Sequence, residues 1–390
     1  MSRFLVVSDI HAHPFPYGSQ LVAYPPFKGL HNSRLVSTMR ALEGVADYAV
    51  LNEIDTVLFA GDMFHTRQSV RTVARNMVTY VIQESFVKRG LRMILIPGNH
   101  DYADRVGYIH SLQSLKYLST DIHVVDTVSV VELSDLRVVC VPYTDSVQKA
   151  RTDLEFAATL AKQDMNKLTV LLCHLGVQGA TVGSDYVMMC PSDVGGDEIP
   201  FADFDLCFFG HYHQHQMLAK NAWFTGALTQ QNWSDVDGNR GFIDVGIRCG
   251  SAQVCGEQSA MEASGRQGIT RSGGKISVTR IETGAPKFLV AHESVDLDRA
   301  REEDFVTYFT TETLTTDQQL QLRERCRSIN MDIKPLKKSK STELQFDATQ
   351  LNASTSLKPW VEANAEDLPK DPLLALGEDL LAVGQSNAIQ

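Results

Sequence analysis

Five short apolar runs, each ending at aspartate, asparagine or histidine residues, constrain the fold of this chain more than any other feature. The runs have the length and continuity of strands buried on both faces; they are Phe4–Val7, Val57–Ala60, Met93–Ile96, Thr169–Leu172 and Leu206–Phe209. The polar residues follow at or just past the carboxyl end of each run, in the motifs Asp9-Ile10-His11, Gly61-Asp62-Met63-Phe64-His65, Gly98-Asn99-His100-Asp101, Cys173-His174 and Gly210-His211-Tyr212-His213. Because α/β sheets present ligand-binding groups at the carboxyl ends of their strands, we expect these side chains to meet at one site.

The composition sets the class of protein. A chain of 390 residues with 43% hydrophobic content can form one large globular domain with appendages. It contains no run of about 18 apolar residues, so no membrane span is predicted. No cleavable signal pattern precedes the first strand, and the seven cysteines form no CxxC pair or disulfide framework. We expect a cytoplasmic protein, of a bacterial cell or a phage-infected host, in which Cys140, Cys173 and Cys207 are buried thiols.

The formal net charge of −11 argues against a generally basic, nucleic-acid-coating surface. A local basic groove remains compatible with that charge, because metals and a few Lys or Arg residues can neutralise phosphates where they bind. Part of the negative charge belongs to the candidate metal ligands, and another part to the acidic stretch 362–371.

The first half of the chain alternates strands with helical patterns, which is typical of an α/β fold. The first helix is predicted to begin with Ser33 as its N-cap. A second helix has its apolar stripe between Val70 and Val81 and is predicted to end at Gly90.

The second half contains a small, separate pattern. Residues 276–281 and 287–291 are predicted to pair as a hairpin. A βαβ pattern follows at 305–336, in which Thr316 and Gln319 form the capping box of the helix.

The polar residues of the five motifs have the composition of a two-metal site. Two divalent cations about 3.5–4 Å apart can clamp a phosphate for in-line attack by a bridging hydroxide. Such a pair requires a bridging carboxylate, neutral imidazoles and oxygen donors. Asp62 is the natural bridge, and Asp9 and His11, two residues apart on extended backbone, point the same way. The remaining candidate ligands are Asn99, His174, His211 and His213.

The order and wording of the motifs resemble the calcineurin-like metallophosphoesterase superfamily, whose pattern is D-x-H, G-D, G-N-H-D/E, a lone H and G-H-x-H. All five elements are present in order across residues 9–213. The resemblance implies a four-layer α/β sandwich, in which two mixed sheets are flanked by helices. It also implies one metal held by Asp9, His11, Asp62 and His213, and a second held by Asp62, Asn99, His174 and His211.

The same resemblance implies catalytic roles for three further residues. His100 would be the general acid that protonates the leaving oxygen, and Asp101 would be the carboxylate that orients it. His65, three residues after the bridging Asp62, would lie beside the scissile phosphate.

Within the superfamily, the chain is most similar to the nuclease subunit of SbcCD-type DNA repair complexes and its meiotic-recombination counterparts. The details are the Gly61–His65 motif, the Phe224–Leu228 segment and the position of the βαβ unit. Phe224 and Ala227 depart from this family, which usually has Tyr and Ser there. The implied protein is a DNA exonuclease, and by extension an endonuclease, that uses two Mn²⁺ ions, with Mg²⁺ as the alternative.

This likeness also implies a homodimer, DNA as substrate and an SbcC-like coiled-coil ATPase as partner. We expect a nuclease domain at 1–295 with a flexible insertion at 249–275, a DNA-capping βαβ domain at 300–336 and a linker at 337–370. The segment 371–384 is expected to be a partner-binding helix, with docking on its own domain as the alternative.

Other readings stay open. The same site would serve a phosphoesterase of cyclic nucleotides, other small molecules or phosphoproteins, although the cap and tail would then be unexplained. A scaffold subunit with a vestigial site is disfavoured by the intact ligand set. Arg67, Arg71 and the stretch Tyr102–Tyr108 could face DNA, or could lie on solvated loops. The sequence does not determine the balance of exo- and endonuclease activity.

Overall fold

The computed structural model describes residues 2–104, 109–164, 167–182, 186–187, 193–236, 238, 240–248, 266–269, 275–292, 294–301, 303–310, 314–325, 330–335 and 374. Its α-helices are Ser33–Leu51, Thr72–Val81, Val147–Ala161 and Thr316–Arg325. A seven-stranded mixed sheet contains, from edge to edge, Arg266–Ile269, Lys275–Glu282, Gly241–Arg248, Ser2–Val7, Thr56–Phe59, Arg92–Leu95 and Ile122–Val124. A six-stranded mixed sheet contains Gln216–Ala219, Ala222–Phe224, Leu206–Gly210, Leu168–His174, Leu136–Val141 and Ser129–Glu132.

Three smaller sheets complete the strands that the structure describes. Phe288–Ala291, Phe305–Thr310 and Asn330–Pro335 form a parallel sheet of three. The two hairpins are Leu21–Tyr24 with Phe27–Asn32 and Thr181–Val182 with Tyr186–Val187.

The two large sheets pack face to face, because their strands are apolar on both faces. Successive residues of a strand point to opposite sides of the sheet. Phe4 and Val6 therefore enter the core between the sheets, where they meet Phe208 of the second sheet. Leu5 and Val7 enter a different core on the outer face.

Helices cover both outer faces. Ser33–Leu51 and Thr72–Val81 pack on the seven-stranded sheet, and Val147–Ala161 packs on the six-stranded sheet. The layers are thus helix, sheet, sheet and helix, which confirms the predicted four-layer sandwich with two mixed sheets. Cys140, Cys173 and Cys207 are buried free thiols, as predicted.

The ends of the first two helices show how precisely local sequence signals predict helix boundaries. The N-cap of the first helix is Asn32, whose side chain accepts a hydrogen bond from the Leu35 amide at 3.1 Å; the prediction of Ser33 was wrong by one residue. Both residue types cap well, so only the backbone geometry separates them. The second helix runs into a short helical segment that ends at Gly90, where a φ of +74° suits glycine.

Two predictions are wrong in the segment that contains the small parallel sheet and the helix Thr316–Arg325. Phe288–Ala291 pairs in parallel with Phe305–Thr310 and forms no hairpin with Lys275–Glu282. The helix Thr316–Arg325 is capped by Thr315 and Gln318, whose side chains and amides bond reciprocally at 3.3 and 2.9 Å. The predicted pair, Thr316 and Gln319, lies one residue later.

Within the predicted insertion at 249–275, the structure describes residues 266–269 and 275. Arg266–Ile269 is a strand at the edge of the seven-stranded sheet, paired with Lys275–Glu282; residues 249–265 and 270–274 lie outside the described residues. The chain divides into two compact units, 1–336 and 337–390. The predicted linker and partner-binding helix lie outside the described residues except for Leu374. No helix in the described part of the chain is long and apolar enough to cross a membrane.

Candidate metal centre

The five motifs lie where the carboxyl ends of strands from both large sheets meet. The first three follow Ser2–Val7, Thr56–Phe59 and Arg92–Leu95, which are parallel neighbours. The last two end Leu168–His174 and Leu206–Gly210, which are parallel neighbours in the other sheet. The two sheets together therefore supply every candidate ligand.

Four non-glycine residues of the motifs have positive backbone φ angles. These angles are +52° at Asp9, +47° at His11, +60° at Asp62 and +102° at His211. Such conformations are rare outside glycine and concentrate at functional sites. They are held by hydrogen bonds between loops, for example from the His11 amide to the Asp62 carbonyl at 3.0 Å.

The first group of donors is formed by Asp9, His11, Asp62 and His213. His11 Nε2 lies 3.9 Å from Asp9 Oδ1 and 3.6 Å from Asp62 Oδ2. His213 Nε2 lies 3.1 Å from His11 Nε2. The ligand atoms of Asp9, His11 and His213 lie within 4.8 Å of one another, and Asp62 adjoins His11, so these residues could hold a cation.

The second group is formed by Asp62, Asn99, His174 and His211. His174 Nε2 lies 3.5 Å from Asp62 Oδ2. Asn99 Oδ1 lies 3.0 Å from His174 Nε2 and 2.9 Å from His211 Nδ1. Asp62 belongs to both groups, as a bridging carboxylate must.

The donor set fits divalent cations. Ligand atoms of Asp9, Asp62 and His174, and likewise of Asp9, His11 and His213, lie within 4.8 Å of one another. The space beside them is kept open by Gly98, since a Cβ at that residue would lie 2.2 Å from Asp62 Oδ1. Carboxylate, amide and imidazole donors suit borderline to hard metals such as Mn²⁺ or Mg²⁺ and do not select one of them.

Burial and the charges of neighbouring residues set the protonation states of the donors. Burial and the neighbouring His174 lower the pKa of His211 to about 3, so this imidazole is neutral. Burial opposes ionisation of Asp62, but the surrounding imidazoles outweigh it and hold the pKa of its carboxyl well below the usual range. Against the effect of burial, Asp62 raises the pKa of His174 to about 9, so a cation that binds there must displace a proton.

His65 and His100 lie together beside the first group. Their rings stack at a centroid distance of 5.4 Å, and His65 Nδ1 lies 3.4 Å from His11 Nδ1. His100 Nδ1 lies 2.6 Å from the carbonyl oxygen of His65 and donates a hydrogen bond to it. That bond places a proton on Nδ1 and leaves Nε2 as the nitrogen that can exchange a proton with a ligand.

Asp101 has a role different from the predicted orientation of His100. Its carboxylate accepts hydrogen bonds from the amides of Asp62 at 2.9 Å, Met63 at 3.3 Å, Phe64 at 3.2 Å and Gly98 at 3.0 Å. The fully buried Asp101 therefore holds the two loops that carry the bridging carboxylate and Asn99. The His65 carbonyl, not Asp101, orients His100.

Two positioning groups were missed by the motif analysis. Asp235 Oδ2 lies 3.6 Å from His213 Nδ1, and the Ala60 carbonyl lies 2.6 Å from His174 Nδ1. Both fix an imidazole through the nitrogen that does not face the site. Asp235 was not visible as part of a motif because it lies in the short turn Trp233–Asp235, outside the five strand ends. The Ala60 contact was not visible because it uses a backbone carbonyl, which every residue has.

Phe224 and Ala227 differ from the residues usual in the resembled nuclease family, and both make structural contacts here. Phe224 is fully buried and contacts the rings of Phe209 and Tyr212. The Ala227 amide donates to the His213 carbonyl at 2.9 Å. The segment therefore supports the His213 backbone without the two hydroxyl groups.

Comparison with known families decides the identity of the fold. The sequence profile of the calcineurin-like phosphoesterases matches residues 2–215. This chain belongs to the calcineurin-like phosphoesterase family. Its members are divalent-metal phosphoester hydrolases, which agrees with the site described above.

The chain spans between about half and two thirds of the length of the curated relatives it matches. Protein 244L of Invertebrate iridescent virus 6, named as a phosphoesterase, is 23% identical over 191 residues, which are 48% of this chain and 63% of the relative. The nuclease subunit of the SbcCD complex from Staphylococcus saprophyticus is 23% identical over 216 residues, 51% of this chain and 56% of the relative.

Among solved structures, a dimetal phosphatase from Danio rerio is similar, at 10% identity and a TM-score of 0.36. The match covers 63% of this chain and 92% of the phosphatase.

Proposed function

We propose that this family member is a dinuclear-metal-dependent DNA nuclease, a phosphodiesterase that acts on DNA in break repair or recombination. The observation that supports it most is the shared position of Asp62 between two complete donor groups, with His100 beside them. A phosphodiester bound between those groups would meet both a charged cradle and a proton donor.

The residues divide the work as follows. Asp9, His11, Asp62 and His213 would hold one cation, and Asp62, Asn99, His174 and His211 the other. When bound, the cations supply charge stabilisation for the phosphate and lower the pKa of water. His100, with Nδ1 fixed by the His65 carbonyl, would deliver a proton from Nε2 to the departing oxygen.

Two observations support DNA as the proposed substrate. One is the similarity to the SbcCD nuclease subunit over 216 residues. The other is the three-stranded sheet of Phe288–Ala291, Phe305–Thr310 and Asn330–Pro335, which follows the metallophosphoesterase part as a cap would. An SbcC-like ATPase partner, a homodimer and Mn²⁺ as the working metal are parts of the same proposal.

The test is turnover of double-stranded DNA in Mn²⁺ by the wild type and His100→Ala. We expect the variant to lose roughly 10²–10⁴-fold in kcat. His123→Ala is the matched control, because this histidine lies on the edge strand Ile122–Val124 of the seven-stranded sheet, outside the donor groups and the small sheet. Equal DNA cleavage by wild type and His100→Ala would reject the assigned role.

A competition assay separates DNA from small substrates. Cyclic nucleotides in excess should leave DNA cleavage nearly unchanged if DNA is the preferred substrate. Strong inhibition by cyclic nucleotides, with slow DNA cleavage, would replace the proposal by a small-molecule phosphodiesterase.

A further inference from the structure

Two imidazoles of the donor groups are held through the ring nitrogen that does not face the site. In the first group, His213 Nδ1 lies 3.6 Å from Asp235 Oδ2. In the second, His174 Nδ1 lies 2.6 Å from the Ala60 carbonyl oxygen. His11, the other imidazole of the first group, is only 2% exposed. Its second nitrogen therefore also requires a partner inside the protein.

The position of His11 decides which of its nitrogens can bind a cation. Nε2 lies 3.1 Å from His213 Nε2 and 3.6 Å from Asp62 Oδ2, so this nitrogen faces the first donor group. A neutral imidazole has one nitrogen with a lone pair and one nitrogen with a proton. Ligation through Nε2 therefore places the proton of His11 on Nδ1, which must donate it to an acceptor.

His65 provides that acceptor. Its Nδ1 lies 3.4 Å from His11 Nδ1, and the two rings meet edge to face at a centroid distance of 5.4 Å and an interplanar angle of 70°. No other hydrogen-bond partner of His11 Nδ1 lies in the described part of the chain. The contact is a long hydrogen bond that requires an unprotonated acceptor nitrogen. His11 then carries its proton on Nδ1, and His65 carries its own on Nε2.

Packing and the backbone fix His65 in this position. Its ring lies 4.6 Å from that of Phe15 and stacks on that of His100 at 5.4 Å. Its carbonyl oxygen accepts a hydrogen bond from His100 Nδ1 at 2.6 Å. One residue thus contacts an imidazole of the first donor group with its side chain and the candidate proton donor with its backbone.

We propose that His65 is a positioning residue that joins the first cation site to the proton donor. Its side chain holds His11 in the tautomer that binds a cation through Nε2, while its carbonyl holds His100 with Nε2 turned outward. This role acts through two other residues, whereas the resemblance implies a direct contact of His65 with the scissile phosphate. The inference rests on the first cation site of the proposed function and does not depend on DNA as the substrate.

The first experiment reads the histidine tautomers of the wild-type protein. Long-range proton–nitrogen correlation spectra are recorded by NMR on the Mg²⁺-loaded protein at neutral pH, and the signals are assigned from variants that each lack one histidine. His11 should carry its proton on Nδ1, and Nδ1 of His65 should be unprotonated. A proton on His65 Nδ1 would overturn the proposal, because that nitrogen could not accept a hydrogen bond.

The second experiment measures Mn²⁺ binding to metal-free variants by calorimetry. His65→Phe keeps an aromatic ring but has no acceptor, so one of the two cations should bind about 10–100-fold more weakly. His65→Asn places an amide oxygen close to the position of Nδ1 and should recover most of the affinity. His65→Gln, whose amide lies one bond farther from the backbone, should recover less. Wild-type affinity for both cations in His65→Phe would contradict the positioning role.

His13→Phe is the matched control for packing around His65. The His13 ring lies 5.4 Å from that of His65, and its Nδ1 has no hydrogen-bond partner among the described residues. This variant should bind both cations as the wild type does. An equal loss of affinity in His13→Phe and His65→Phe would assign the effect to ring packing and would reject the hydrogen bond as its cause.

The outcomes separate this inference from the proposed function. If the wild type binds two Mn²⁺ ions and His65→Phe binds both equally well, the positioning role is wrong and the dinuclear site remains. If the wild type binds two Mn²⁺ ions and hydrolyses bis(p-nitrophenyl) phosphate but not DNA, the nuclease proposal is wrong and the role of His65 is still decided by the cation affinities. If the wild type binds no Mn²⁺, both proposals are wrong.

Discussion

Asp235 Oδ2 lies 3.6 Å from Nδ1 of His213, whose Nε2 lies 3.1 Å from His11 Nε2 in the first donor group. Asp235 is itself buried and paired with Arg240 at 2.9 Å. Burial alone would lower the pKa of His213, but Asp235 outweighs it and raises that pKa. The carboxylate therefore both orients the imidazole and increases its basicity as a ligand.

Asp235→Asn should weaken binding of the cation held by His213 by about 10–100-fold, because the amide cannot match the charge of the carboxylate. Titration of the metal-free protein with Mn²⁺ by calorimetry measures the change. Asp47→Asn serves as control, since Asp47 is an exposed partner of Arg89 on the surface. Unchanged affinity in Asp235→Asn would show that the His213 orientation does not depend on this contact.

Asp101→Asn should destabilise the protein by roughly 2–4 kcal/mol, because the amide has one acceptor oxygen in place of two and its NH2 group would face a backbone amide that now donates to the carboxyl group. Urea unfolding of the metal-free protein gives the value without a contribution from bound ions. Asp55→Asn is a suitable comparison, since this exposed carboxylate accepts from the Thr56 hydroxyl at 2.8 Å. A loss below about 0.5 kcal/mol in Asp101→Asn would contradict the loop-holding role.

Gly98→Ala should reduce the metal content and lower the stability of the protein. The added Cβ would lie 2.2 Å from Asp62 Oδ1 and 2.5 Å from the Asp62 backbone nitrogen, so both the bridging carboxylate and its loop have to move. Gly44→Ala is the matched control: nothing lies within 4 Å of its added Cβ, and it should stabilise the helix Ser33–Leu51 by about 0.5–1 kcal/mol. Elemental analysis after dialysis measures the bound metal. A full metal complement in Gly98→Ala would contradict the claim that Gly98 keeps the space beside the donor groups open.

Arg34→Ala should loosen the attachment of the small parallel sheet. The guanidinium is buried over the rings of Phe15 at 4.4 Å, Phe288 at 5.2 Å and Phe305 at 5.5 Å, and it donates to the Gln231 carbonyl. Loss of these contacts should cost roughly 2–4 kcal/mol.

Hydrogen exchange in residues 288–310 is the specific readout for Arg34→Ala, because exchange there should accelerate more than in the large sheets. Arg40→Ala removes an exposed guanidinium 3.8 Å from Glu303 and should change stability by less than about 1 kcal/mol. Similar exchange in the two variants would exclude the buried cation–π cluster as the anchor of the sheet.

The strands and their ligand motifs were predictable because each strand is a continuous apolar run with its polar residues at one end. That pattern does not depend on the neighbouring segments, since strands between two layers must be apolar on both faces. Local choices between equivalent residues were not predictable. Asn32 and Ser33 are both residue types that cap helices, and so are Thr315 and Thr316. The backbone geometry at the start of each helix decides which of the two neighbours is the N-cap.

The sequence by itself determined the layered α/β class, the order of the strands that carry the site and the chemical kinds of its donors. Only the tertiary structure decided which atoms face each other. It placed Asp101 on the backbone of two loops, Asp235 behind His213 and Arg34 among three aromatic rings from distant segments. These contacts depend on distance in space, and a one-dimensional pattern records only the separation along the chain.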